Sequence, residues 1–240
     1  MFKYFRDKTS GKIYTKIDGV MCAEVVDTSS LDLEEVNESV MARNTYAVKH
    51  WASDTNTIDE LMQRKYALKD VVGVPVDGKP VDFRVEHIIH NDDGTDTVYF
   101  VSVDVVGKST MTNMDQFLDA YTAKMSHELV SRMRVMEHKT NKGHCKKRKL
   151  SLLSLGNLKN MEGYCIGADD MIFDGLRTEA ERCKNDEDGY TSWYWLDTPT
   201  LSNTTSFMSV SYYGSPGNGS NYASNAGSVA LSFSILTGGI

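Results

Sequence analysis

Trp193-Tyr194-Trp195-Leu196-Asp197-Thr198-Pro199 is the stretch on which the reading of this 240-residue chain turns. Aromatic and apolar side chains dominate it, and a tryptophan buries a large apolar area. Trp193, Trp195 and Pro199 are therefore expected as scaffold. The composition changes directly behind them. From Thr198 to Ile240 there is no Asp, Glu, Lys, Arg or His, although charged residues make up 25% of the chain. Residues 200–228 are built mainly from Ser, Asn, Thr, Gly and Tyr, and they close on the alternating run Val229-Ala230-Leu231-Ser232-Phe233-Ser234-Ile235. Phe233 is the fourth expected scaffold residue. Block and run thus bracket an uncharged insert inside a folded domain. Adaptable binding surfaces use this alphabet: Tyr gives contact area at low entropy cost, and small polar residues supply hydrogen bonds. Asn203, Thr205, Tyr212, Tyr213, Asn218, Asn221, Tyr222 and Asn225 are the candidate ligand-binding residues. The competing reading is a turn-rich β region with solvated tips, given Gly214-Ser215-Pro216-Gly217-Asn218-Gly219.

Working outward, residues 150–155 read as a strand and residues 178–183 as a short helix. Phe117, Leu118, Tyr121, Met125, Leu129, Met133 and Met136 fall near helical spacing and predict one long helix over residues 114–138. Residues 81–89 and 96–106 read as strands around Asn91-Asp92-Asp93-Gly94, a hairpin signal. At the N-terminus, Phe2-Lys3-Tyr4-Phe5 and Lys12-Ile13-Tyr14-Thr15-Lys16-Ile17 flank a turn and predict a second hairpin. A helix is expected from Leu31 through Leu33, Val36 and Val40, with Tyr46, Val48 and Trp51 continuing its apolar side. Thr55 or Asn56 caps a second helix carrying Ile58, Leu61, Met62, Tyr66 and Leu68. Residues 1–75 read as an attachment or oligomerisation segment, and residues 76–240 as the ligand-binding domain.

Bulk properties narrow the class. The net charge of -7 argues against broad binding to nucleic acid or anionic membrane. No window approaches the roughly 20 apolar residues of a membrane span. Met1-Phe2-Lys3-Tyr4-Phe5-Arg6-Asp7-Lys8 has no apolar signal core, so folding in a cytoplasm is expected. Cys22, Cys145, Cys165 and Cys183 are widely spaced and read as reduced thiols.

The order of these features resembles a family of phage and prophage domains with a C-type-lectin-like, formylglycine-generating-enzyme-like fold. Asp82-Phe83-Arg84-Val85 resembles the family's W-R-V-L strand, and Val98-Tyr99-Phe100-Val101-Ser102 its L-L-S strand. Gln116-Phe117-Leu118-Asp119 resembles its W-L-N helix, and Leu150-Ser151-Leu152-Leu153-Ser154 its F-L-L-S segment. Tyr194-Trp195-Leu196-Asp197-Thr198-Pro199 is similar to W-W-L-R-S-P, and residues 229–235 to the closing G-V-R-P-x-F. Asp197 stands where that motif has Arg, Thr198 where it has Ser, and Ala230-Leu231 where it has Arg-Pro. The similarity covers roughly residues 80–236. It implies an α+β C-type-lectin-like domain of mixed and antiparallel strands with flanking helices. One face of that domain, between the tryptophan motif and the last strand, binds ligands. In related folds the same segment is diversified by retroelements.

Three other motifs have ordinary readings. Asn185-Asp186-Glu187-Asp188-Gly189 offers oxygen ligands, but it lacks the spacing and closing Glu of an EF-hand loop. Calcium is the one cofactor it suggests, and a solvated acidic turn is the better reading. Lys146-Lys147-Arg148-Lys149 reads as a solvated loop or partner contact. His144-Cys145 does not establish a nucleophile with a base in reach. The resulting expectation is a non-enzymatic virion protein, a fibre, spike or head fibre. It would bind a host-surface glycan or protein, contact other virion proteins and assemble as a homotrimer. A capsid decoration or baseplate protein is the alternative, and a formylglycine-generating-type enzyme a weaker one.

Overall fold

The structure, a computed structural model, describes the strands at residues 2–7, 13–17, 20–22 and 33–36, then residues 61–62, 65–139, 145–203, 205–217 and 221–238. The chain divides into two compact units, Met1–Lys49 and His50–Ile240.

In the first unit, β1 (Phe2–Asp7), β2 (Ile13–Ile17), β3 (Val20–Cys22) and β4 (Leu33–Val36) form a sheet in the order β3-β2-β1-β4. The expected hairpin is present, with Phe2 opposite Ile17 and Arg6 opposite Ile13. The helix expected from Leu31 is not formed at β4, which pairs antiparallel with β1 and sets Phe5 opposite Glu35. Leu33 and Val36 fit a helical period, but four residues do not fix a period. The second edge of β1 supplies β4 with backbone partners. Val40, Tyr46, Val48, Trp51, Thr55, Asn56 and Ile58 lie outside the described residues. Residues 61–62 are helical, whereas Tyr66 and Leu68 lie beyond that turn. The Tyr66 hydroxyl donates to the Leu61 carbonyl at 2.8 Å.

The second unit is mixed α+β with mostly antiparallel strands. β5 (Val71–Val76), β6 (Lys79–His90), β7 (Asp96–Ser102) and the C-terminal strand form an antiparallel sheet. β5 lies along β6 with Val72 opposite Phe83, so the unit begins before the boundary expected at residue 75. The Asn91–Gly94 turn joins β6 to β7, and Gly94 takes φ 81°.

This sheet is covered on both faces, which is why β7 reads as a nearly continuous apolar run. Alternate side chains point to opposite faces. Val98 and Phe100 enter one core with Phe83, Val85, Phe233 and Ile235. Tyr99 and Val101 enter a second core with Phe173, Leu176, Tyr194 and Leu196. Phe100 and Phe233 stack with ring centroids 5.0 Å apart.

The helix expected over residues 114–138 is broken. After β8 (Lys108–Ser109) come α1 (Met114–Thr122), α2 (His127–Arg132) and β9 (Met136–Lys139). The Ser126 hydroxyl accepts from Leu129 N at 3.1 Å and starts α2 afresh. Met133 is extended and bridges to Ile235. Apolar spacing continues across both breaks because Met125, Leu129 and Met133 all face the first core. β9 pairs with β10 (Cys145–Arg148). The strand expected at residues 150–155 reduces to one bridge, Ser151 to Ser232, followed by a 3-10 turn at Leu155–Asn157. A Ser154–Asn157 capping box holds that turn. The expected short helix is α3 (Glu179–Arg182), opened by a Thr178–Glu181 capping box.

β11 (Lys184–Asn185) and β12 (Thr191–Ser192) form a small hairpin. The last sheet takes β13 (Tyr194–Pro199), β14 (Ser206–Val210), β15 (Asn221–Tyr222) and β16 (Gly227–Ser228) in the order β15-β14-β13-β16-β8. β16 runs parallel to β13, with Tyr194 opposite Ser228. β17 (Ser232–Thr237) completes the first sheet beside β7.

Candidate functional site

All of the tryptophan block but Trp193 forms β13, whose six residues are buried, while Trp193 is half-buried beside it. Trp193 and Trp195 meet edge to face, 5.0 Å between centroids. Trp195 Nε1 donates to the Ser109 carbonyl at 3.0 Å, and the Tyr194 hydroxyl to the Arg182 carbonyl at 2.9 Å. Gly227 is fixed by this pair: a Cβ there would sit 2.6 Å from both Trp193 Cζ3 and Trp195 Nε1. Pro199 is buried opposite Phe207, and Phe233 lies in the first core.

The uncharged insert hangs on this frame in two groups. At one end of β14, Asn203, Thr205, Asn221 and Tyr222 come together. Ser206 pairs with Tyr222, and Ala223 N donates to Thr205 O at 2.8 Å. Thr112 N, from the 3-10 turn Met111–Asn113, donates to Ala223 O at 3.2 Å. Between these segments lies a groove of about 540 Å³ lined by Met111, Thr112, Thr205, Phe207, Tyr222, Ala223 and Ser224. None of the seven is charged, and the volume falls in the range of small-ligand sites, ~300–1,000 Å³.

Tyr212 and Tyr213 sit at the other end of β14, roughly 13 Å away at ~3.3 Å per residue. They occupy a turn closed by Gly214 N donating to Ser211 O. That turn is pinned to α3, where Arg182 Nε donates to Gly214 O at 2.7 Å. Tyr212, Tyr213 and Tyr222 are 50%, 77% and 61% exposed. Two of the asparagines serve the scaffold. Asn203 Oδ1 accepts from Thr205 N at 2.9 Å and Oγ1 at 2.7 Å, and Asn221 Nδ2 donates to Ser209 Oγ at 3.1 Å. Asn225 is exposed on the loop after β15, and Asn218 lies outside the described residues.

The other motifs have local partners. Asp186 Oδ1 accepts from Asp188 N at 3.2 Å and Tyr190 N at 3.0 Å, so this carboxylate closes the β11–β12 turn. Among the described residues, no three His, Cys, Asp or Glu side chains converge as a metal site. In the basic run, Arg148 pairs with Asp115 and Asp119, each at 2.9 Å. Lys147 pairs with Glu137 at 3.2 Å, and Lys149 Nζ donates to Val130 O at 2.7 Å. Lys146 Nζ lies over the Phe207 ring, 5.7 Å from its centroid. His144 lies outside the described residues.

A buried ionisable network under the groove has no sequence signal. His138 Nδ1 lies 2.7 Å from Asp170 Oδ1, and its Nε2 lies 3.4 Å from Ser151 Oγ. Asp170 Oδ2 also accepts from Gly167 N at 2.6 Å. Neighbouring Asp169 accepts from the Tyr99 hydroxyl at 2.6 Å and from Glu137 N at 2.7 Å. Asp197 completes the cluster from β13. Burial pushes the Asp197 carboxyl above its ordinary value, while His138 and Lys146 pull it back. Burial also opposes charge on His138, but Asp197, Asp170 and Asp169 outweigh it and raise the imidazole above its usual 6.5. Asp170 is held below 3.8 despite burial, by hydrogen bonds from His138 and Ser154 and by the His138 charge. Ser151–His138–Asp170 has the connectivity of a nucleophilic triad. The adjoining cavity offers about 10 Å³, room for a water and not for an acyl group.

His138 and Asp170 are 32 residues apart, in a segment expected to end a helix and in a loop. Only the β9 fold-back brings them together. Comparison with protein-family models, curated proteins and solved structures found no match. The fold itself defines an α+β domain of mostly antiparallel strands. Its site is a rigid aromatic frame displaying an uncharged, tyrosine-bearing edge.

Proposed function

We propose that the chain is a non-enzymatic bacteriophage virion protein, a fibre, spike or head fibre, whose C-type-lectin-like second unit binds a receptor on the host surface. One observation carries this reading. Tyr212, Tyr213 and Tyr222 stand half to three-quarters exposed on an insert without a single charge, hung on the fully buried strand β13. Large aromatic side chains held in water on a preorganised frame lose little entropy on binding. The groove beside Tyr222 offers aromatic rings and hydroxyls to a neutral glycan or protein. The first unit attaches the protein to the particle or makes it a homotrimer, and retroelement diversification would act on the loops carrying Asn203 to Asn225.

Adsorption of the fluorescently labelled full chain to a panel of bacterial cells tests the reading. Tyr213→Ala with Tyr222→Ala is expected to abolish adsorption while the circular dichroism spectrum stays unchanged. Binding that survives the double variant, or capture only by other virion proteins, overturns it, the latter in favour of a decoration or baseplate role.

A further inference from the structure

The groove and the buried network share a wall. Met111 lines both the groove and the small cavity that His138, Ser151 and Asp197 face. Lys146 lines that cavity too, and its ammonium reaches the groove through the face of Phe207. At 5.7 Å from the centroid, this cation is within the range where a ring attracts it. We propose that Lys146 is a positioning residue that ties Phe207, the aromatic floor of the groove, to the charge state of the Asp197–His138–Asp170 network, so that the groove's shape follows pH. This inference rests on the groove being the ligand site.

The charges around Lys146 set the direction. From β9 comes His138, from the loop behind it Asp169 and Asp170, and from β13 Asp197. From β10 and α1 come Arg148 and Asp115, which pair with each other at 2.9 Å. While His138 carries its proton, Asp170 is neutralised and Asp197 has a cation beside it. Lys146 is then free to rest on Phe207. As pH rises, His138 gives its proton to solvent and the Asp197 carboxylate loses that cation. Lys146 lines the same cavity as Asp197, where Arg148 is already paired with Asp115 and Asp119, and it becomes the cation for a carboxylate that burial strongly disfavours leaving unpaired. It is drawn off the ring into the cavity wall, and Phe207 loses the contact that fixes it.

The test uses the full chain with 4-fluorophenylalanine at its eight phenylalanines, read by fluorine NMR without ligand. Phe207→Leu identifies the Phe207 signal. That signal is expected to move with pH at the same midpoint as the His138 ring. Lys146→Met should flatten it while His138 still titrates, and Lys146→Arg should restore it. A Phe207 signal that is flat in the parent chain, or that titrates unchanged in Lys146→Met, overturns the proposal. Both variants change a half-exposed side chain, so the measurement does not depend on surviving a core substitution. Because no ligand is present, failure here leaves receptor binding standing, and failure of cell adsorption leaves the coupling standing.

Discussion

Gly227→Ala tests the rigidity of the frame directly. The added methyl would meet Trp193 Cζ3 and Trp195 Nε1 at 2.6 Å, with Trp193 Cη2 nearer still. Real Cβ atoms do not approach that closely, so the indoles must move. They are constrained: Trp195 is fully buried, and its Nε1 is committed to the Ser109 carbonyl at 3.0 Å. Overpacking of this kind costs about 1–3 kcal/mol. Breaking the indole hydrogen bond adds about 0.5–1.5 kcal/mol. The sum, about 1.5–4.5 kcal/mol, is a fall in Tm of roughly 3–18 °C for a unit of this size. Urea unfolding followed by tryptophan fluorescence measures it, since two of the three tryptophans report on the site itself. A change below about 0.5 kcal/mol, within the range of ordinary surface substitutions, would refute the argument. The tryptophan pair would then be too loose to serve as a rigid frame for the insert.

Gly214→Ala should also destabilise, because its φ of 80° disfavours a side chain and its Cβ would lie 2.6 Å from the Glu179 carbonyl carbon. Limited proteolysis at the Tyr212–Tyr213 turn, accelerated in the variant, is the readout. Tyr222→Ala alone should weaken cell adsorption at least tenfold and move Tm by no more than a degree or two, since the ring is 61% exposed; adsorption at the parental level would remove the groove from the site. Burial and then the Asp104 charge push the Asp82 carboxyl up to about 6. Its folded value lies above the unfolded 3.8, so its contribution to stability is complete below pH 3.8 and is lost as pH rises through 6. Asp82→Asn should therefore flatten the decline in Tm between about pH 4 and 6, and an unchanged slope would assign that decline to other groups.

Much of the fold follows from local pattern. The alternation at residues 81–89 and the apolar run within residues 96–102, with Asn91–Gly94 between them, determine the β6–β7 hairpin. Thr178 and Glu181 determine the start of α3. Elsewhere local pattern misleads. Ser126 is a helix start signal, yet apolar spacing runs through it, because α1, α2 and Met133 all line one core. β4 has a helical spacing and takes the free edge of β1 instead. In both cases the deciding partner is distant in sequence.

The site divides the same way. That the insert would be uncharged, aromatic and held between Trp193–Pro199 and the last strand was determined by composition alone, since lack of charge and the cost of exposing tryptophan are properties of the residues themselves. Tertiary structure decided that the candidates split between the two ends of β14, that Asn203 and Asn221 stabilise turns and strands, and that Met111, Thr112 and Phe207 line the groove. It also decided that Asp197, standing where the similar motif has Arg, meets His138 and Asp170 in the interior. Those contacts join segments 30 to 110 residues apart, and burial and charge pairing act between neighbours in space.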